Sequence, residues 1–144
     1  MESVFARYHA LLITFLFCTI LSSCVHTDNE IARPVISVTP FNTSNLNESI
    51  AGQIHGADVQ LYNIAVYAKV RSGWYTLPNR DSPIISISND KRWVCELSGV
   101  KKEDITKVSI FLVPNGYEPP ILQGQNIIPI KMNLMSASKK IIVL

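Results

Sequence analysis

From residue 35 onward, apolar and polar residues alternate with a period of two, which is typical of β-strands with one buried face. In the segment Asn63–Val70, every second side chain from Ile64 onward is aliphatic, and Lys107–Val113 repeats the pattern at its even-numbered positions. The pattern predicts nine candidate strands. They are Val35–Thr39, Ser49–His55, Asn63–Val70, Trp74–Leu77, Ile84–Ser88, Arg92–Leu97, Lys107–Val113, Ile127–Met132 and Lys140–Leu144.

Turn-forming residues separate these segments. They are Ser72-Gly73, Ser88-Asn89-Asp90, Pro114-Asn115-Gly116 and Pro119-Pro120. No long window shows the periodicity of an amphipathic helix, although Ser98–Thr106 has room for one helical turn. Short strands at spacings of about ten residues are typical of antiparallel sandwiches. The sequence therefore predicts an all-β fold, an immunoglobulin-like antiparallel β-sandwich of seven to nine short strands.

The first 24 residues have the features of a sorting signal. The apolar run Ala10–Leu21 contains twelve residues and would form a helix about 18 Å long. A bilayer's hydrocarbon core takes about twenty helical residues. The length therefore favours the apolar region of a secretory signal peptide over a transmembrane helix.

The end of this run resembles a bacterial lipobox. In Leu21-Ser22-Ser23-Cys24, an aliphatic residue and two small residues precede a cysteine. The resemblance to bacterial lipoproteins implies cleavage before Cys24, a thioether-linked diacylglycerol on its thiol and an acyl chain such as palmitate on its freed amine. Each buried CH₂ contributes roughly 0.8 kcal/mol, so two or three chains would anchor the protein stably. The alternative is an ordinary signal peptide with a coincidental cysteine.

These observations divide the chain into three predicted parts. Residues 1–23 are the lipoprotein signal peptide, residues 24–34 are the lipidated cysteine and a polar tether, and residues 35–144 are the β-sandwich domain. The alternative for the segment after Cys24 is an edge strand that docks on the domain. The predicted location is a bacterial cell envelope, where the protein is lipid-anchored on the periplasmic or outer-membrane face.

Composition narrows the classes of protein further. A chain of 144 residues is about one domain's worth. The 13 Lys and Arg against 11 Asp and Glu leave a net charge of +2, so nucleic acid is not an expected partner. Once Cys18 leaves with the signal and Cys24 carries lipid, Cys95 is the one remaining cysteine, and no intramolecular disulfide is possible. Cys95 shares a predicted strand face with Trp93 and Leu97, which favours a buried structural thiol.

The predicted domain offers few groups for catalysis or metal binding. His55 is its only histidine, and no nucleophile-elbow glycine pattern is present. Zinc normally takes three or four Cys or His ligands, whereas the domain has one of each. Calcium-loop and phosphate-loop patterns are absent, and no carboxylate pair is singled out for glycoside hydrolysis. The sequence therefore predicts a protein that is not an enzyme and has no metal site and no cofactor.

The central part of the chain resembles a small β-sandwich module of bacterial secreted and surface proteins. The segments that carry the resemblance are IAVYAKV at 64–70, GWYTLP at 73–78 and IFLVPNGYEPP at 110–120. The module has "VAVY…GWW..P" and "AFLVP.GY.PP" in the corresponding places, and the similarity covers about residues 52–120. This chain departs from it at Tyr75, which replaces a second Trp, and at residues 89–92 before Trp93. Such modules accompany carbohydrate-active enzymes in some chains and stand alone in others, so the resemblance implies a sandwich fold.

Three aromatic residues form the candidate ligand-binding site. Trp74 and Tyr75 are adjacent in a predicted strand, so their side chains point to opposite faces and one can be exposed while the other is buried. Together with Tyr117, in a loop after a neighbouring strand, an exposed ring would make a platform that stacks on sugar rings. The alternative is that these rings fill the core or brace a loop.

The predicted function is a lipid-anchored, non-catalytic binding module of the cell envelope, with glycan as the preferred ligand class. The alternative is a structural envelope lipoprotein that scaffolds a protein assembly. The expected partners are accordingly the membrane, through lipid on Cys24, and either a glycan or an envelope protein.

Overall fold

The computed structural model describes residues 33–39 and 49–144. The signal peptide, Cys24 and the tether as far as residue 32 lie outside the described residues, and the statements about them stay predictions. The described part contains eight strands and one short helix. These are β1 (Val35–Val38), β2 (Ser49–His55), β3 (Tyr62–Val70), β4 (Gly73–Leu77), β5 (Arg92–Glu96), β6 (Ile105–Pro114), β7 (Gln123–Gln125), α1 (Ile130–Met135) and β8 (Ser138–Val143). No helix in this part is long and apolar enough to cross a membrane.

The strands form two antiparallel sheets that pack together. One has the order β1-β2-β5 and the other the order β7-β4-β3-β6-β8. With the short β7 set aside, these are the orders A-B-E and C′-C-F-G of immunoglobulin domains. The predicted all-β sandwich is therefore confirmed.

The main core lies between the two sheets, where alternate side chains meet. Its buried members are Ile36, Ile50, Ile54, Ile64, Val66, Ala68, Leu77, Ile85, Trp93, Cys95, Leu97, Ile105, Val108, Ile110 and Leu112. Val70, which continues the alternation of β3, is only half-buried, because the register between β3 and β6 shifts at this end of the strand.

Gly52 makes room for the largest side chain of this core. It is the register partner of Trp93, and a Cβ placed on it would lie 2.8 Å from the Trp93 ring and 2.0 Å from the carbonyl oxygen of Ser37. Any side chain at this position would therefore displace both the indole and strand β1.

A second apolar layer covers the outer face of the five-stranded sheet. It combines Ala65, Tyr67, Trp74, Phe111 and Val113 of the sheet with Leu122 and Met132. The last two belong to the connection between β6 and β8, residues 115–137, which we call the crossover. Because both faces of β3 and β6 are covered, the runs Ile64–Ala68 and Val108–Val113 are buried without interruption.

Two predicted strands differ from the structure. Ile84–Ser88 makes only an isolated bridge from Ile85 to Ile64, because β4 already pairs with the rest of that side of β3, from Val66 onward. In the segment Ile127–Met132, residues 127–129 form a loop and residues 130–132 begin α1.

The second difference follows from Pro129, which has no N–H to donate to a ladder and directly precedes the helix. In α1, which begins after Pro129, Met132 points into the outer-face layer and Ile130 stays exposed, as does Ile127 in the preceding loop. Within Ser98–Thr106, where the sequence has room for one helical turn, the structure has a 3-10 turn at Lys102–Asp104.

Candidate functional site

Trp74 lies on the outer face of the five-stranded sheet and is 9% exposed. It is the register partner of Lys69 on β3. The Lys69 Nζ atom lies 5.8 Å from the centroid of the indole ring, within the range of a cation–π interaction. The indole is therefore packed into the outer-face layer while it keeps a positive charge beside it.

A cavity of about 260 Å³ opens beside Trp74, and we call it the Trp74 groove. Strands β6 and β8 form one side and the crossover forms the other. Its lining residues are Trp74, Lys107, Ser109, Asn126, Ile127, Ile128, Asn133, Lys139 and Ile141. Small-molecule sites span roughly 300–1,000 Å³, so the groove suits a single small unit.

The polar groups of the groove come from both of its sides. Lys139 Nζ donates to Asn133 Oδ1 at 2.8 Å and lies 5.0 Å from the centroid of the Phe111 ring. These contacts hold the lysine across the join between β8 and the crossover. Asn126 is exposed, and its side-chain amide makes no hydrogen bond to another described residue. The groove thus offers an amide and ammonium groups next to an indole.

The three predicted aromatic residues do not form one platform. Tyr75 lies on the opposite face of β4 from Trp74, pairs with Gln123 of the edge strand β7, and is 36% exposed. Tyr117 is half-buried against the outer-face layer, where its hydroxyl donates to Met132 Sδ at 3.6 Å. Of these three aromatic residues, only Trp74 lines the groove. Trp74 and Tyr75 lie on opposite faces of β4, as predicted. The expected platform of one of these rings with Tyr117 is corrected, because packing of the crossover uses the Tyr117 ring.

Sequence reasoning missed most of the groove. Lys107 and Ser109 could have been predicted from the alternation of β6, because its odd-numbered residues point to the outer face of the sheet. Asn126 and Asn133 could not, because they reach the groove only through the path of the crossover across the sheet.

Ser37 and His55 form a side-chain contact on the smaller sheet. His55 Nε2 lies 3.1 Å from Ser37 Oγ on the exposed face of the three-stranded sheet. The Ser37 hydroxyl also donates to the carbonyl oxygen of Gln53 at 3.2 Å. These contacts join β1 to β2 through side chains on the exposed face of the sheet.

The thiol of Cys95 lies in the main core. Burial raises the pKa of Cys95 to about 12, with a smaller contribution from the Glu96 charge, so the thiol stays protonated at neutral pH. Residues 33–39 and 49–144 contain no group of three or more His, Cys, Asp or Glu side chains that would hold a metal ion.

Comparison with known proteins assigns the chain to no family. No protein-family model, no curated protein and no solved structure matches the chain.

Proposed function

We propose that the protein is a lipid-anchored, non-catalytic module of a bacterial cell envelope that binds glycan in the Trp74 groove. The observation that carries this proposal is the composition of the groove. An indole stands beside amide and ammonium groups in a concave site. Apolar contact with an aromatic ring and hydrogen bonds from a few convergent polar groups are how proteins hold sugar-sized ligands.

The lipid anchor fits this role on physical grounds. Single-module glycan binding is weak, with dissociation constants nearer millimolar than nanomolar, or about −4 to −7 kcal/mol. Many copies held on one surface compensate for weak single contacts through their high effective concentration. A polymer that spans several copies would then be retained.

The test uses the full, lipidated chain in phosphatidylcholine vesicles. Fluorescently labelled polysaccharides, neutral and charged, are mixed with the vesicles, and retention after sedimentation is measured. We expect at least one polysaccharide to be retained by wild type and lost with Trp74→Ala. Because Trp74 also packs in the outer-face layer, Asn126→Ala gives a second test at an exposed position. Tyr75→Ala is the matched control and should bind like wild type.

Two results contradict the proposal. One is that no polysaccharide is retained by wild-type vesicles. The other is that Trp74→Ala and Asn126→Ala both retain polysaccharide as well as Tyr75→Ala does.

A second candidate function rests on the exposed side of the crossover. Ile127, Ile130 and Leu134 are 74%, 74% and 76% exposed, and the last two share one face of α1 because they are four residues apart. Exposed apolar clusters of this kind mark interaction sites. The neighbouring charged residues on α1 and β8 are all lysines, so the partner would be an envelope protein whose apolar contact surface has an acidic rim.

This structural role predicts that cross-linking in cells captures one defined envelope protein. Ile130→Asn with Leu134→Asn should abolish the capture, whereas Val94→Asn, an equally apolar exposed position on β5, should not. Capture that survives the double substitution contradicts this second candidate.

A further inference from the structure

Charge is unevenly distributed among the described elements of the sandwich. None of the five strands of the larger sheet contains an aspartate or glutamate, and neither does α1. The same elements hold Lys69, Lys107, Lys131, Lys139 and Lys140. The described carboxylates lie on β5, in the 3-10 turn Lys102–Asp104 and in loops, including Glu118 of the crossover. A face with one sign of charge concentrates ligands of the opposite sign.

Two of these lysines face each other directly. Lys69 and Lys107 are register partners on the neighbouring strands β3 and β6, and Trp74 continues the row on β4. Neither lysine forms an ion pair with a described carboxylate. Like charges directly opposite each other in a sheet destabilise it, so this row costs folding free energy that a bound anion would recover.

From this arrangement we infer that the Trp74 groove binds an anionic polysaccharide, one whose sugar units carry carboxylate or sulfate groups. The inference rests on the proposed glycan-binding function and adds the charge of the ligand. Lys107 and Lys139 line the groove and contact the anionic group, which an ammonium binds as a compact point charge. The amide of Asn126 bonds the ring hydroxyls, and the part of the indole that lines the groove makes apolar contact with the sugar.

The shape of the site favours a polysaccharide over an anionic bilayer. The Trp74 groove is concave, and its crossover side presents two asparagine side chains, which suit discrete hydroxyl groups better than a flat headgroup layer. Its volume of about 260 Å³ accommodates one charged unit while the rest of the polymer runs outside.

The test compares ligands of different charge on the full, lipidated chain in phosphatidylcholine vesicles. The labelled probes are dextran sulfate, polygalacturonate and neutral dextran, with phosphatidylglycerol vesicles as a fourth probe. We expect the two polyanions to be retained and dextran not, and retention to fall steeply as salt rises from about 50 mM to about 500 mM.

Charge variants assign the effect to the groove. Lys107→Gln should weaken retention about tenfold, as expected for loss of one charge-assisted contact, and Lys107→Arg should keep most of it. Lys101→Gln, an exposed lysine in the loop before β6, is the matched control and should bind like wild type. Lys107 is exposed on its strand, so neither substitution removes buried packing.

The outcomes separate this inference from the proposed function. Retention of neutral dextran that depends on Trp74 but not on Lys107 overturns the anionic ligand and leaves glycan binding in place. No retention of any polysaccharide contradicts both. Lysine-dependent capture of phosphatidylglycerol vesicles without polysaccharide binding assigns the lysines to a membrane surface and overturns the inference.

Discussion

The hydroxyl group of Tyr67 donates to the carbonyl oxygen of Pro120 at 2.9 Å. This bond joins the middle of β3 to the crossover, 53 residues later in the chain. The same hydroxyl lies 3.7 Å from Met132 Sδ, and the Tyr67 ring meets Phe111 edge-on at 5.9 Å between centroids. Tyr67 is therefore one of the residues through which the sheet holds the crossover, beside the bonds between Thr76 and Leu122, and the crossover forms one side of the Trp74 groove.

The first prediction concerns this bond. Tyr67→Phe keeps the ring but leaves the Pro120 carbonyl without its side-chain donor, so the free energy of unfolding should fall by about 1–2 kcal/mol. Hydrogen exchange in the crossover should speed up at the same time. Tyr75→Phe is the matched control, since its hydroxyl makes no hydrogen bond to a described residue, and its effect should stay below about 0.5 kcal/mol. Equal effects of the two substitutions would show that the Tyr67 hydroxyl does not hold the crossover.

The second prediction concerns the glycine beneath Trp93. Gly52→Ala forces a methyl group against the Ser37 carbonyl and the indole, and overpacking against backbone should cost about 3 kcal/mol or more. Gly116→Ala is the control, because its φ of +79° is unfavourable for alanine but a Cβ there meets nothing within 4 Å. It should cost about 1–2 kcal/mol. Urea denaturation of both variants measures the difference, and a smaller loss for Gly52→Ala would disprove the close approach.

The sequence predicted the sandwich well because its strands obey local rules. Strand β2 has the bounds that alternation predicts, since Ile50 and Ile54 point into the core. The site was predicted less well. The alternation along β4 correctly predicts that Trp74 and Tyr75 lie on opposite faces. No local sequence pattern, however, predicts which face of the sheet a connection as long as the crossover will cover. That choice is a tertiary one, and it decides where Tyr117 and Asn133 lie.

The third prediction concerns alkaline pH. Burial raises the pKa of Cys95 to about 12, whereas an unfolded thiol titrates near 9. The native state therefore keeps a proton that the unfolded state releases, so the stabilisation is fully present below about pH 9 and is lost as the pH rises towards 12. Denaturation at several pH values should show a steeper fall for wild type than for Cys95→Ala.

Tyr67 has to be separated from this effect. Burial also raises its pKa, with Tyr117 as a smaller cause, and it adds a loss of stability above about pH 10 in both proteins. The comparison between wild type and Cys95→Ala cancels that contribution. Parallel stability curves for the two proteins would mean that the Cys95 thiol is not shielded from solvent.

The last prediction returns to the amino-terminal segment. If Leu21-Ser22-Ser23-Cys24 is a lipobox, a fatty-acid probe fed to cells should label the wild-type protein, and Cys24→Ser should abolish the label and release the protein from membranes. Cys18→Ser is the matched control, because Cys18 follows Leu16-Phe17, whose bulk does not suit a peptidase that needs small residues before the cysteine. Label and membrane retention should therefore both survive in Cys18→Ser. A Cys24→Ser protein that still takes up the probe would show that lipid is attached elsewhere, and the anchor on which the avidity argument depends would have to be placed at another residue.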